Sequence, residues 1–186
     1  MSLQRIAQIK HALNMQPHPE GGYYCERYRA ASEIQSPVHN KLRSTLTHIY
    51  FLLTEGDISR WHKVVHDEIW NVYEGDPLRI LTLNDNGIED IIIGDTIVGN
   101  LTIGNINNDN ISNDGINIDK NERSVNRDYY KLILGGDFQA AETTGLYTLL
   151  GCTVAPGFDF EDFSYIEDAS VKDFVIAQGK DYHRFI

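Results

Sequence analysis

The sequence predicts an all-β sandwich or barrel, built as one domain over residues 1–186 with a single small helix outside it. Three observations carry that prediction. Short runs of β-branched and aromatic residues recur along the chain, and turn markers containing Gly, Asp or Pro separate them. The pattern also lacks helices of adequate length between the runs, which a parallel α/β fold requires.

Each element follows in order. Leu3, Ile6, Ile9, Ala12 and Leu13 fall near helical spacing, so residues 3–14 read as a short amphipathic helix. Pro17 and Pro19 announce its end, and His18 to Gly22 reads as a turn into the first strand. Ser44 to Leu53, STLTHIYFLL, is too apolar for an exposed strand. Further strands are expected at Glu68–Tyr73, Leu78–Leu83, Tyr130–Leu134 and Tyr147–Val154. The turns between them are Glu55-Gly56-Asp57, Glu74-Gly75-Asp76-Pro77, Asn86-Gly87 and Gly135-Gly136. Pro156-Gly157 turns the chain near the end, where Phe158, Phe160 and Phe163 read as packing residues.

Residues 84–128 differ in kind, with eleven Asn, ten Ile and no His, Cys or aromatic residue. That composition carries no chemistry, so the stretch reads as an inserted Asn/Ile-rich hairpin or loop. A strand is expected over Ile91–Ile103 and a mobile loop around Asn105–Arg127.

Bulk properties exclude several classes. A net charge of −11 repels phosphate backbones and anionic membrane surfaces, so nucleic acid and membrane are not expected as partners. No apolar run approaches the roughly 20 residues of a spanning helix, and the N-terminus lacks a signal-peptide pattern. A cytoplasmic protein is expected. Cys25 and Cys152, far apart and outside any CxxC spacing, read as reduced, buried thiols. Walker, Rossmann and GxSxG patterns are missing as well.

Chemistry concentrates in GDISRWHKVVHDEIWNVYEG, Gly56 to Gly75. Side chains alternate along a strand, so His62 and Val64 share one face. Residues 65–67 form a turn, and Glu68, Trp70 and Val72 follow on the next strand. His62 and Glu68 then meet inside a barrel, as part of a metal site or as an acid–base pair.

At these residues the sequence resembles the cupin superfamily. Gly56, His62, Val64, Glu68 and Gly75 keep every spacing of the first cupin motif, with Val64 in place of the second His. Leu134, Gly136, Gln139 and Thr143 stand at the second motif, where the Gly alone is kept. HPEGGYYCERYR, STLTHIYFLL, WHKVVHDEIWNVYEGDPLRI, FQAAE and GCTVAPGFDFEDF resemble one branch, cupin-5, long catalogued as a domain of unknown function. The resemblance implies a double-stranded β-helix (the cupin jelly-roll barrel), a homodimer and a pocket inside the barrel. It also implies Glu20 as a polar group at the pocket mouth.

Cupin metal sites commonly use three His and one Glu, and here His62 and Glu68 alone hold those positions. No metal cofactor is therefore expected. The alternative is a divalent transition metal on His62, Glu68 and Gln139, completed in space by His48 or His66. Tyr50, Trp70 and Phe138 are candidate pocket-lining aromatics. His66 reads as a solvated turn residue, and His11, His39 and His183 have no constellation around them. Arg27 and Arg29 read as surface ion-pair residues.

The expected function is binding of a small polar, sugar- or carbonyl-like molecule in the barrel by a metal-independent isomerase or epimerase. His62 would remove a proton next to a carbonyl, and Glu68 or a nearby Tyr would orient it or return the proton. The alternatives are a non-catalytic metabolite-binding protein and a metal-dependent cupin enzyme.

Overall fold

The computed structural model describes residues 2–94 and 128–186. Helix α1 (Ser2–Ala12) precedes the strands β1 (Gln16–Pro17), β2 (Tyr23–Arg29), β3 (Glu33–Gln35), β4 (Leu42–Ser44) and β5 (Thr47–Thr54). Next come β6 (Ile58–Val64), β7 (Asp67–Gly75), β8 (Leu78–Asn84) and β9 (Gly87–Ile93). The chain ends with β10 (Tyr130–Ile133), β11 (Phe138–Thr143), β12 (Tyr147–Ala155), β13 (Phe163–Tyr165), α2 (Ala169–Ala177) and α3 (Lys180–His183).

Two large antiparallel sheets result, ordered β1-β2-β5-β12-β7-β10 and β13-β6-β11-β8-β9, and β3 and β4 pair separately. Successive strands from β5 to β8, and again from β10 to β13, alternate between the sheets. That alternation is the winding of a jelly-roll barrel. Strand alternation sorts the side chains: Thr47 and Phe51 of β5 are buried, while His48 and Tyr50 turn to the other face.

Three apolar clusters hold the layers. Phe51, Leu53, Trp70, Leu78, Ile80, Ile133 and Leu150 fill the space between the sheets. Ile6 and Ile9 of α1 pack with Leu52 and Leu149 on the outer face of the first sheet. Trp61, Leu81, Leu83 and Ala140 on the outer face of the second sheet are covered by Val175 and Phe185. Each fully buried large side chain contributes about 1.5–3 kcal/mol, so these three clusters dominate the folding free energy.

The expected helix is present, as are the strands expected within the described residues. Helices α2 and α3 and the strands β1, β3, β4, β11 and β13 were not anticipated, and β9 begins before the strand expected from Ile91. Helices α2 and α3 close the chain, with Asp168 capping α2 by accepting from the N–H groups of Ser170 and Val171. Strand β9 lies inside the predicted insertion and pairs with β8 from Gly87 to Ile93. The rest of the strand expected over Ile91–Ile103, and the loop around Asn105–Arg127, fall outside the described residues. Among the described residues no helix is long and apolar enough to cross a membrane.

Candidate functional site

The site lies between the two sheets, at the end of the barrel not filled by the apolar core. His62 on β6 and Gln139 on β11 are cross-strand partners in the second sheet. Glu68 reaches them from β7 in the first. The Gln139 amide nitrogen donates to Glu68 Oε2 at 2.6 Å and lies 3.0 Å from His62 Nε2.

Glu20 arrives from the turn between β1 and β2. Gly21 and Gly22 have φ of +122° and +65°, a backbone that favours glycine, and a Cβ on Gly21 would strike the carbonyl oxygen of Ile58. The turn is pinned to β6, where Arg60 N–H donates to the Glu20 carbonyl at 3.0 Å. Ser59 and His62 are three positions apart and would face opposite ways on a regular strand. A register shift between β6 and β11 turns both toward Glu20. Ser59 Oγ donates to Glu20 Oε1 at 3.0 Å, and His62 Nε2 lies 3.0 Å from Glu20 Oε2.

His62 Nδ1 is 2.7 Å from the Arg60 carbonyl oxygen, so it carries a proton and donates there. Nε2 offers one hydrogen-bonding position and has two neighbours at 3.0 Å, Glu20 Oε2 and Gln139 Nε2. The carboxylate is the stronger partner, so the proton lies on the Glu20 line and the amide N–H serves Glu68. Burial opposes charge on His62, but the Glu20 carboxylate outweighs it, and the His62 pKa ends above its usual 6.5. Burial likewise opposes charge on Glu20, which His62 and Ser59 hold below the usual 4.5. Glu68 goes the other way. Burial, with the Glu20 charge behind it, pushes Glu68 up to about 6 against the pull of Gln139 and His62.

These groups open into a cavity of about 370 Å³. Tyr24, Phe158, Phe160 and Phe163 form aromatic walls, and Cys152 and Val154 lie on the β12 side. Sequence reasoning read Phe158, Phe160 and Phe163 as packing residues alone, and it missed His18, although that residue stands two positions before Glu20. Its Nδ1 accepts from the Glu20 N–H at 3.3 Å, which leaves the proton on Nε2. Burial lowers the His18 pKa, so the ring stays neutral and is a hydrogen-bond donor on the cavity wall.

The structure thus brings His62, Glu68, Gln139 and Glu20 together. None of the three expected aromatics lines the cavity. Trp70 is packed edge-on against Phe51 in the inter-sheet core. Tyr50 lies on the outer face of the first sheet against α1, because its position on β5 is out of phase with Thr47 and Ile49. Phe138 packs outside the second sheet, one residue out of phase with Gln139, and Lys63 Nζ stands 4.9 Å above its ring.

Two further histidines depart from expectation. His66 is buried, with Nε2 2.8 Å from Ser36 Oγ and Nδ1 3.6 Å from Asp162. His39 Nε2 lies 3.0 Å from the same carboxylate. Three such donors suggest a cation site, but Arg43 already grips both Asp162 oxygens at 2.7 Å. A metal would face that guanidinium across one carboxylate, so the cluster reads as an ion-pair staple joining β4 to the segment before β13.

The barrel site itself does not fit a transition metal. Val64 has no donor atom, and the Gln139 NH₂ group sits between His62 and Glu68. His48 is held by Thr153 on the outer face, and His66 belongs to the Asp162 cluster. His62 and the Glu20 and Glu68 carboxylates, with His18 beside Glu20 and the Gln139 N–H between His62 and Glu68, form a hydrogen-bonded network with the amide N–H where a metal would need a donor atom.

Known proteins give a consistent answer on fold. A hypothetical protein from Leishmania major superposes with a TM-score of 0.66 at 22% identity, covering 97% of this chain and 95% of that one. A protein from Shewanella oneidensis gives a TM-score of 0.69 at 22% identity, covering 96% and 94%. A comparison with curated proteins finds no match. The family model described as Cupin superfamily (DUF985) matches residues 7–166, and the chain belongs to that family.

Proposed function

We propose that this protein is a metal-independent isomerase or epimerase acting on a small polar, sugar- or carbonyl-like molecule in the barrel cavity. One observation carries the reading. A histidine held protonated by Glu20 and a carboxylate raised to about 6 share one cavity, which is the pairing a proton-shuffling enzyme needs near neutral pH.

The charges reverse the roles expected from sequence. Glu68, mostly ionised at neutral pH, takes the proton from the carbon next to the substrate carbonyl. His62 gives its Nε2 proton to the carbonyl oxygen, and an enol results. His18 Nε2–H donates a further hydrogen bond to that oxygen. Glu68 then returns its proton to carbon while His62 recovers the O–H proton. Where the carbon bears a hydroxyl, Glu68 can return its proton to the former carbonyl carbon while that neighbouring hydroxyl gives its own proton to His62, which moves the carbonyl. Inversion of the centre requires the enol to turn its other face to Glu68 before the proton returns. Gln139 is a positioning residue: its N–H groups suit ionised Glu68, and a turned amide offers its partnerless Oε1 to the protonated form.

The test is exchange in D₂O, read by proton NMR over a panel of aldoses, ketoses and deoxysugars. Wild type should exchange one C–H for deuterium on a substrate, and His62→Ala, its fold verified by circular dichroism, should not. A ligand that binds with no exchange at any pH between 5 and 9 would overturn the enzyme reading and support a metabolite-binding role.

We also propose a homodimer through the outer face of the first sheet. Ile69 and Leu132 are cross-strand partners there and are both exposed, as is Tyr28 in the same row beyond His48 and Thr153. An exposed apolar row of this kind on a sheet face is a natural protein contact.

A further inference from the structure

We infer that the cavity selects an uncharged sugar-like carbonyl compound and rejects its phosphorylated, carboxylated and nucleotide-linked forms. This rests on the isomerase reading and names the substrate class for that same site.

The argument starts from the cations. Among the described residues lining the cavity, the charged cations are Arg29 and His62. Arg29 has its charge matched by Glu26, and three of its five N–H groups are engaged. Its Nε and Nη2 donate to the two oxygens of Glu26 at 3.1 and 2.7 Å, and Nη1 donates to the Phe158 carbonyl at 3.1 Å. His62 donates to the Arg60 carbonyl through Nδ1, and its charge is matched by Glu20. An anionic handle would find no cation without a carboxylate already against it.

It would meet carboxylates instead. Glu20, Glu26, Glu68 and Asp159 all line the cavity, and the two cations offset half of them. Phosphate sites elsewhere depend on Arg or Lys free of carboxylate partners, and the described lining residues include none.

Size and wall chemistry point the same way. A cavity of about 370 Å³ stands near the lower end of the roughly 300–1,000 Å³ range for ligand sites. A nucleotide-linked sugar would extend far outside it. The inner end presents hydrogen-bonding groups of both kinds: a neutral donor on His18, carboxylate acceptors on Glu20 and Glu68. Aromatic faces at Tyr24, Phe158 and Phe160 suit the C–H face of a sugar. Hydroxyls thus meet the buried polar end, and the apolar face meets the rings.

Calorimetric titration of the full-length protein tests this. The probes are free hexoses and deoxyhexoses, their 6-phosphates, uronates and UDP-linked forms, at fixed ionic strength. A free sugar should bind at least tenfold more tightly than its own anionic forms. A phosphate or nucleotide form binding as tightly as the free sugar overturns the inference while the acid–base reading stands. No binding by any form, with no deuterium exchange on any, overturns both. Glu26→Gln is the charge variant, because it removes one lining carboxylate and leaves Arg29 without its partner, with its fold verified by circular dichroism. It should raise the affinity of a 6-phosphate about tenfold relative to that of its own free sugar. An unchanged ratio in that variant would also overturn the inference.

Discussion

Glu20 and His62 face each other at 3.0 Å inside the barrel, although 42 positions separate them in the chain and they come from opposite sheets. The contact determines which protonation state the site offers. With Glu20 replaced by Gln, burial acts on His62 with its main opposing charge gone, so the imidazole pKa moves down. Histidine NMR titration should show this downward movement in Glu20→Gln. Turnover at neutral pH should fall by about 10²-fold, in the range for losing a positioned general acid. A His62 resonance that titrates as in wild type would contradict the assignment.

The pH profile of turnover follows from the same pair. Glu68 is raised, to about 6, and works ionised, so activity rises as the pH passes through about 6. His62 is also raised and works protonated, so activity falls again at higher pH as it loses that proton. A bell is expected, its two limbs belonging to the coupled network. Glu68→Gln should lower turnover by about 10²–10⁴-fold and leave no limb near 6. A rate that only falls as the pH rises would assign the base elsewhere.

The staple between Arg43 and Asp162 bears on stability. Both side chains are buried, and Arg43→Ala leaves a carboxylate without its main partner. Breaking a buried pair of this kind costs about 3 kcal/mol, measurable as a lower urea midpoint at pH 7.5. His66, held neutral by burial, adds a pH term. Its folded pKa is lowered, so its contribution is present above the unfolded value of about 6.5 and is lost as the pH falls through the folded value. His62 and Glu68 also titrate, so the informative quantity is a difference. Between pH 7.5 and 5, His66→Gln should lose less stability than wild type.

Metal analysis tests the ligand argument directly. Protein purified without chelator and measured by mass spectrometry should carry well under one equivalent of transition metal per chain. Near one equivalent would mean that the Gln139 amide turns or withdraws and that His62, Glu20 and Glu68 coordinate together. Adding chelator should leave turnover unchanged.

Much of this was legible in the sequence, for identifiable reasons. The barrel showed because strand periodicity and turn residues are local signals. His62, Glu68 and Gln139 showed because the motif positions put His62 and Glu68 on consecutive strands and Gln139 on a later one. Tyr50 and Phe138 misled because an aromatic residue reads the same on either face of a strand, and phase within the sheet decides which. His18 was hidden in an apparent turn, since a long-range tie to β6 makes that turn part of the site. His66 and His39 were misread for a similar reason: their partner, Asp162, lies about a hundred residues away. Helix α2 was missed although Asp168 marks its start, because its apolar residues form no clear stripe.

The homodimer proposal has its own test in the row formed by Ile69 and Leu132. These side chains stay exposed in the single chain, while their strand neighbours Trp70 and Ile133 are buried in the core. Replacing Leu132 with Glu therefore changes the surface and leaves the inter-sheet packing alone. Sedimentation equilibrium should give twice the chain mass for wild type and the chain mass for Leu132→Glu, with the thermal midpoint of the variant lowered by lost association. A wild-type monomer would refute the dimer. A dimer that survives both Leu132→Glu and Ile69→Glu would move the contact to another face, with the exposed strand pair β3–β4, carrying Ile34 and Leu42, the next surface to change.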